Sequence, residues 1–571
     1  MKSTKILFTV FMLVLAMAAC SGSGKNNEDS ENLDDSVSDG DVSDDSTLSD
    51  EENNDSENSD DNVENIDGDE DLNDAENDGD TQDEFAKSPD FEDLECGTAF
   101  GDIACDFTLP LESGKWNFAE NYSKNDNYLF VFYRAKISSS RQIWTSELYN
   151  LFDRTPENIT YFFLVDTKDG NDAKEKIQTI RDSIAEAIDF NGDSSVVKQI
   201  HLIEKPLSEI DSWINKWLND NQSEFFFGID RERRIRQGGS FSSWNSNTLP
   251  VEFKNLYKEA ELYDYEKKIS DFIKETSGSS TVFKGLQNVP FEEEGWTKEI
   301  FFDVDFKGLS GTGELYILLE QICDDPKKCE WDRLERLFLC DEKGENCDTE
   351  TGRWITTYGR SGKWLTDITP LKPLFEKDGK YKFRFTVDGD YYVNNLDFIF
   401  VKKEAEQPIK LIPLFNQREQ FDENYNSHFE PQILNEENVK KAEIYAFITG
   451  HGNGSEEANC AEFCRFESVF TVNGNDFEID FNKAGTRAGC FDAVIDGVVP
   501  NQYGSWPFGR AGWCPGQDVK LIKFDVTDAL VSGENTFSYA GYLDGEVYTP
   551  VVTDENGYRA EVYLSSYLVI Y

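Results

Sequence analysis

Histidine and methionine are nearly missing from this chain of 571 residues, with three of each. His201, His428 and His451 are widely separated, and Met1, Met12 and Met17 all fall near the N-terminus. A paired copper centre needs several histidines and a methionine, so the count excludes one. Zinc is disfavoured as well, because no cluster offers two Cys-x2-Cys knuckles and histidine cannot complete the set. No metal and no other cofactor is expected. Basic residues are also scarce: 55 Lys and Arg stand against 112 Asp and Glu, a net charge of −57. A chain so acidic does not concentrate polyanions, so nucleic acid is not an expected partner. The apolar run Ile6–Ala19 is too short to span a bilayer as a stable anchor, and no other run is apolar enough to span one.

That one run has a meaning of its own. Lys2 and Lys5 precede it, and it leads through small residues into Cys20, the layout of an export signal. Met17-Ala-Ala-Cys20 resembles a bacterial lipobox, which implies cleavage before Cys20 and acylation of its thiol. Ser21 behind that cysteine points to outer-membrane sorting in a Gram-negative envelope. About half of the net charge lies between Glu28 and Glu95, in a stretch of Asp, Glu, Ser, Asn and Gly. Self-repulsion and the lack of apolar residues make residues 20–95 a disordered acidic tether. Calcium buffering is the other use of such a run, but no ligand geometry is set there.

Ten of the eleven cysteines remain once Cys20 is assigned to lipid, an even number in an exported chain. Their spacing favours local disulfides: Cys96 with Cys105, Cys323 with Cys329, Cys340 with Cys347, Cys460 with Cys464 and Cys490 with Cys514. Residues 96–280 read as α/β. Apolar runs at 128–133, 159–165, 198–203 and 225–229 are strands, with Arg234–Gln237 closing the set, and helical periodicity marks 141–152, 172–188 and 210–218. The order resembles a thioredoxin-like domain, but it carries no Cys-x-x-Cys, so nothing there supports redox chemistry. Residues 252–280 read as a helical linker. Beyond it, short alternating segments divided by Gly, Asp and Asn indicate antiparallel sandwiches. The apolar-poor stretch 403–409 splits them into two pieces, 281–404 and 405–571, each the size of an eight-stranded jelly roll. The fold class is thus mainly β behind an α/β accessory part.

Two carboxylates sit in unusual settings. Asp332 is three residues beyond Cys329, and Glu462 lies inside Cys460-Ala-Glu-Phe-Cys464. A small disulfide ring adds little global stability but immobilises the backbone beside it, which suits a catalytic carboxylate. Trp331, Arg333, Phe463 and Arg465 adjoin them, and an aromatic face suits a sugar ring. By spacing alone, the more usual reading of both acids is a solvated loop residue.

Three motifs narrow this. Gly504-Ser-Trp506-Pro-Phe-Gly-Arg510-Ala-Gly-Trp513-Cys514-Pro-Gly516, after Asn501-Gln502, resembles the C-terminal domain of the PNGase F family. Cys460-Ala-Glu-Phe-Cys464 is similar to that family's Cys-Ala-Glu-Trp-Cys, and Cys329-Glu-Trp-Asp-Arg333 to its Cys-Asp-Glu-Trp-Asp-Arg. Order and spacing agree, over about residues 290–571. The resemblance implies two jelly rolls side by side with the active site between them. It also implies a peptide:N-glycosidase: an amidase that needs no metal and cuts N-linked glycans from asparagine, leaving aspartate. Asp332 would activate water and Glu462 would bind the first sugar and support proton transfer. Arg333 and Trp331 would line the cleft, His451 would take the place of a family Trp or else serve as a strand-end turn residue, and Arg510 and Trp513, in the family's most recognisable loop, would bind substrate or support the structure. Where the family carries a further Glu and a Trp on a late strand, this chain has Phe385-Thr-Val-Asp388-Gly-Asp390, and Asp388 is the nearest substitute. That departure keeps a non-catalytic glycan-binding reading open, and paired carboxylates also admit a glycosidase. The expected partners are N-linked glycoproteins, and the protein is expected to be a monomer.

Overall fold

The computed structural model describes residues 87–571 except 147, 242–253, 291–296, 312, 389–391, 405, 453–459 and 550–558. The signal segment, Cys20 and nearly all of the acidic stretch lie outside the described residues. The stretch assigned to the tether does not run as far as Glu95. The Phe91 ring packs edge-on against Phe118 and Tyr122, under the Arg233 guanidinium, and the Ser88 N–H donates to the Ala119 carbonyl. An apolar ring among charged neighbours is enough to bind this segment to the body.

The α/β part is built on one five-stranded sheet. Its order is Ile200–Leu202, Ile159–Val165, Asn127–Tyr133, Phe226–Ile229, Ile235–Gln237. The first three run parallel and the last two antiparallel. The two central strands are continuous apolar runs because both faces are covered. Leu129, Val131, Tyr161 and Phe163 share a core with Ile177 and Ile180 of helix Gly170–Asn191. Phe130, Phe132, Phe162 and Leu164 face Trp213 and Trp217 of helix Ser212–Asp220. The single helix expected over 141–152 is two, Ser138–Trp144 and Tyr149–Arg154. Between them the Thr145 and Ser146 hydroxyls donate to the carbonyls of Arg141 and Gln142, at 3.2 and 2.8 Å, competing with the helical ladder.

The expected linker is a packed helix, Lys254–Thr276. Leu256, Tyr257, Ala260 and Tyr263 belong to the same core as the first sandwich and part of the α/β unit.

Two four-plus-four sandwiches follow. The main strands of the first, in chain order, are Ser280–Lys284, Thr297–Phe306, Glu314–Ile322, Leu334–Leu339, Thr349–Ile355, Gly362–Asp367, Gly379–Asp388 and Val393–Val401. Numbered one to eight, they pair as 2-7-4-5 and 6-3-8-1. Those of the second are Lys410–Gln420, Gln432–Glu436, Ala442–His451, Phe466–Val472, Asn475–Asp480, Ile522–Asp525, Gly533–Leu543 and Glu561–Ile570. They pair as 1-8-3-6 and 2-7-4-5. Both are the winding of a jelly roll. Phenylalanines fill the first interior, with Phe306 against Phe383, Phe398 and Phe400.

The sandwiches interlock. Gln517–Asp518, from the second half, pairs antiparallel with Trp354 and Ile355 at the edge of a first-sandwich sheet. Arg353 and Glu350, both fully buried, form an ion pair at 2.7 Å. Arg353 also donates to the Thr449 hydroxyl and the Tyr563 carbonyl, and Glu350 accepts from the Ser565 hydroxyl. These bonds cross from one sandwich to the other. Among the described residues, no helix is long and apolar enough to cross a membrane.

Candidate active site

All five disulfides expected from spacing are formed. Two of them frame the candidate carboxylates. The ring Cys323–Cys329 follows strand Glu314–Ile322 and hands the chain to the loop of Asp332. Several bonds fasten that loop: the Gly359 N–H donates to the Cys329 carbonyl at 2.6 Å, the Thr356 N–H to the Arg333 carbonyl at 2.9 Å, and the Arg333 N–H to the Thr356 hydroxyl at 2.7 Å. The ring Cys460–Cys464 encloses Glu462. There the Ala511 N–H donates to the Glu462 carbonyl at 2.9 Å, and the Gly450 N–H to the Ala511 carbonyl at 3.0 Å. The Glu462 ring, the loop of Arg510 and the end of strand Ala442–His451 are thereby one assembly. Gly512 makes the approach possible. Its φ is +82°, and a Cβ there would stand 2.1 Å from the Ile448 carbonyl oxygen.

Arg510 joins the two carboxylates. Its Nε donates to Glu462 Oε1 at 3.1 Å and its Nη2 to Asp332 Oδ2 at 3.0 Å. Nη2 also reaches the Ser505 hydroxyl and the Tyr358 hydroxyl, at 3.0 and 3.3 Å, and Nη1 donates to the carbonyls of Phe508 and Ser505. A guanidinium has five N–H groups, and these contacts engage the whole fork. Its faces are covered by Trp513 and Phe463, with ring centroids 4.8 and 5.1 Å away. Only 1% of the side chain is exposed, against 13% for Asp332 and 16% for Glu462. The resemblance left Arg510 open between binding substrate and supporting the structure. The structure places it behind the carboxylates, as the cation that holds one acid from each sandwich at one site.

Burial pushes the Glu462 carboxyl up to about 7; Arg510 opposes that and the Asp332 charge adds to it. Tyr358 was not singled out from the sequence. It lies just past strand Thr349–Ile355, its hydroxyl is bonded to Asp332, and burial followed by the Asp332 charge raises it well above the usual phenol range. No local motif marks it. Its place follows from a loop held by Gln502, whose Oε1 accepts the Tyr358 N–H at 2.7 Å.

The remaining expected residues divide. Trp331 is 38% exposed, lies edge-on to Tyr358 at 6.5 Å, and carries the Arg333 guanidinium at 5.6 Å from its ring. These two form an accessible aromatic and cationic rim. Trp513 is buried, and its Nε1 donates to the Gly450 carbonyl at 2.7 Å. His451 stacks on Trp513 at 5.1 Å and shares a hydrogen bond with the Thr449 hydroxyl at 2.8 Å. Burial, then the nearby Arg353, Arg336, Arg418 and Arg510, hold its imidazole well below its ordinary range. It is therefore neutral, and one of its faces is already occupied by Trp513. Arg465 turns away to Asp480. Asp388 ends strand Gly379–Asp388, and its side chain lies outside the described part; Asp390 lies outside it altogether. Among the described residues no group of three His, Cys, Asp or Glu could hold a metal ion.

Residues 422–569 match the family model described as peptide-N-glycosidase F, C terminal. That span holds His451, Glu462, Arg510 and Trp513. A curated relative, peptide-N(4)-(N-acetyl-beta-D-glucosaminyl)asparagine amidase F of Elizabethkingia miricola, is 24% identical over 242 residues. The match covers 39% of this chain and 65% of the relative, just under two thirds of its length. Among solved structures, PNGase F, described as a glycosylasparaginase from Flavobacterium meningosepticum, is 19% identical, with a TM-score of 0.40 over 51% of this chain and 95% of that one. PNGF-II is 13% identical, with a TM-score of 0.40 over 53% and 67% of the two chains.

Proposed function

We propose that the protein is an amidase of N-glycoproteins, from the premise that residues 422–569 match the C-terminal model of the peptide-N-glycosidase F family. It hydrolyses the amide between an N-linked glycan and asparagine, giving aspartate and a glycosylamine. The observation that supports this best is Arg510, shared by Asp332 from the first sandwich and Glu462 from the second.

Amide hydrolysis needs a base for water and a proton for the departing nitrogen. Two carboxyls divide those tasks when their environments hold them in different states. Glu462, pushed up to about 7, keeps its proton in weakly acidic solution and is the donor. Asp332, held by Arg510 and Tyr358, is the base. It takes a proton from water as the oxygen bonds to the amide carbon. The C–N bond then breaks, and the nitrogen leaves with the proton from Glu462. Trp331 offers an apolar face to a sugar ring, and Arg333 borders it. The lipobox-like Met17–Cys20 and the acidic stretch behind it support a place for this activity on a lipid anchor at the outer envelope. Metabolic labelling with a fatty acid, lost in Cys20→Ala, tests the anchor; unlabelled protein in the cytoplasm would overturn it.

The reaction is tested by incubating a denatured N-glycoprotein in heavy-oxygen water with the protein and with Asp332→Asn. Release of the whole glycan, with heavy oxygen at the former asparagine in the first sample alone, is the expected result. Glycans left intact by both, from acid to alkaline pH, would instead favour the glycan-binding reading.

A further inference from the structure

The amidase reading leaves the α/β unit and helix Lys254–Thr276 without a task. We propose that Glu259, on that helix, is a positioning residue: it holds the two loops that supply Tyr358 and Arg510 to the site. The kinetic arm of this inference rests on the proposed amidase function; the structural arm does not.

Glu259 is fully buried, with 0% of its side chain exposed. A carboxylate on a helix face that packs into a core is costly to bury unless every oxygen is answered. Here the oxygens are answered from three segments outside the helix. Arg360 pairs with both, Nη1 to Oε1 at 2.9 Å and Nη2 to Oε2 at 3.0 Å. Asn501 Nδ2 donates to Oε1 at 2.7 Å, and the Gly239 N–H donates to the same atom at 3.1 Å.

Each partner stands next to site machinery. Arg360 is two residues past Tyr358, and its guanidinium also donates to the Pro500 carbonyl. Asn501 precedes Gln502, and the loop continues to Ser505 and Arg510. The two loops are bonded to each other by the Tyr358 N–H on Gln502, whose own Nε2 donates to the carbonyls of Val499 and Pro515. One carboxylate therefore grips both loops, two residues past Tyr358 on one and nine residues before Arg510 on the other. The α/β unit completes the grip. Its exit segment passes so near that a Cβ on Gly239 would stand 2.1 Å from the Asn501 carbonyl oxygen, and the Ser240 N–H donates to that oxygen at 2.9 Å. Asn501 itself is held at a φ of +51°. The accessory part is thus a wall of the catalytic scaffold, and the helix is its point of attachment.

A residue that only adds stability would leave the chemistry of the surviving folded protein unchanged. A positioning residue would lower kcat, since small displacements of catalytic groups cost about a hundredfold in rate. The test compares the full chain with Glu259→Gln and, as a variant that keeps the cation, Arg360→Lys. Hydrogen exchange read by mass spectrometry and kinetics on an N-glycopeptide are the measurements. For Glu259→Gln, exchange in 356–361 and 499–513 should quicken by about tenfold or more while strands Asn127–Tyr133 and Ile159–Val165 stay protected. Its kcat should fall by about tenfold or more with KM nearly unchanged, and the alkaline limb of the pH profile should move. Arg360→Lys should show the same pattern, more weakly, and it carries the test alone if Glu259→Gln does not fold. Wild-type exchange and kcat in both variants would overturn the proposal, as would a uniform loss of protection with kcat per folded molecule intact. If the wild type releases no glycan, the amidase reading falls by itself, and the exchange pattern still decides whether Glu259 holds the loops.

Discussion

Arg510 does what neither carboxylate could do alone. It keeps two acids from different sandwiches close without requiring both to be neutral, and its planar fork fits them from two sides. Lysine has a single charge centre and cannot reproduce that. Arg510→Lys should therefore lower kcat by about a hundredfold or more, with a smaller change in KM, in steady-state assays on a glycopeptide. Glu462 gives a pH signature. Its carboxyl rises from the ordinary 4.5 to about 7 on folding, so between those values the folded protein holds the proton more tightly than the unfolded chain does. Stability contributed by this group is greatest below pH 4.5 and falls as pH climbs to about 7. Glu462→Gln should match the wild type in melting temperature at acid pH. Above neutrality it should gain on it by an amount on the order of 1–3 kcal/mol, the exposure of the site limiting the effect. The alkaline limb of wild-type activity near pH 7 should vanish in the same variant. The cysteine neighbours drew attention to both acids, but it took the family-like motifs around them to separate them from solvated loop residues. Tyr358 was not legible, because only the fold brings its hydroxyl to Asp332.

At the scale of elements, the disulfide rings and the Gly512 crossing do the local work. The ring Cys460–Cys464 spans 4 residues and Cys490–Cys514 spans 24. Closing a short loop removes less chain entropy, so replacing the first pair by alanines should cost about 2 kcal/mol and the second about 3–4 kcal/mol in chemical denaturation. Both losses should reach activity, because the small ring carries Glu462 and the larger one encloses Arg510. A variant of the first pair with unchanged kcat would contradict that. The strands, their alternation and the middle of helix Gly170–Asn191 were readable from period, while its ends lie two or three residues beyond the expected 172–188. The break between Ser138–Trp144 and Tyr149–Arg154 was missed because apolar spacing continues across it, while the interruption comes from hydroxyls bonding backward to the helix carbonyls. The packed state of helix Lys254–Thr276 was missed because its charged residues resemble a solvated face; Glu259 is buried only because Arg360 and Asn501 arrive from elsewhere.

The site exists only if the two sandwiches keep one fixed relation. The fully buried Arg353–Glu350 pair, with its bonds to Thr449, Tyr563 and Ser565, crosses that boundary. Removing one partner strands a charge in the interior, so Arg353→Met alone should cost about 3–5 kcal/mol in denaturant titration. Replacing both residues with apolar ones of similar volume should restore much of that stability, but should leave kcat reduced if the pair also sets the angle of the cleft. Equal losses for the single and double variants would show that the pair does not act as a unit.

Local chemistry was enough to read the disulfide pairs and the β alternation from short stretches. Export-type residues at Met17–Cys20, disulfide spacing, β alternation, and two acids beside small rings are all properties of neighbours in sequence. Tertiary structure decided the rest. It set which cation serves the acids, that His451 stacks on a buried Trp513, and that a helix more than two hundred residues before Arg510 is bonded to the loop that carries it. Those facts depend on burial and on groups brought together across the chain, and neither is encoded at any single stretch of sequence.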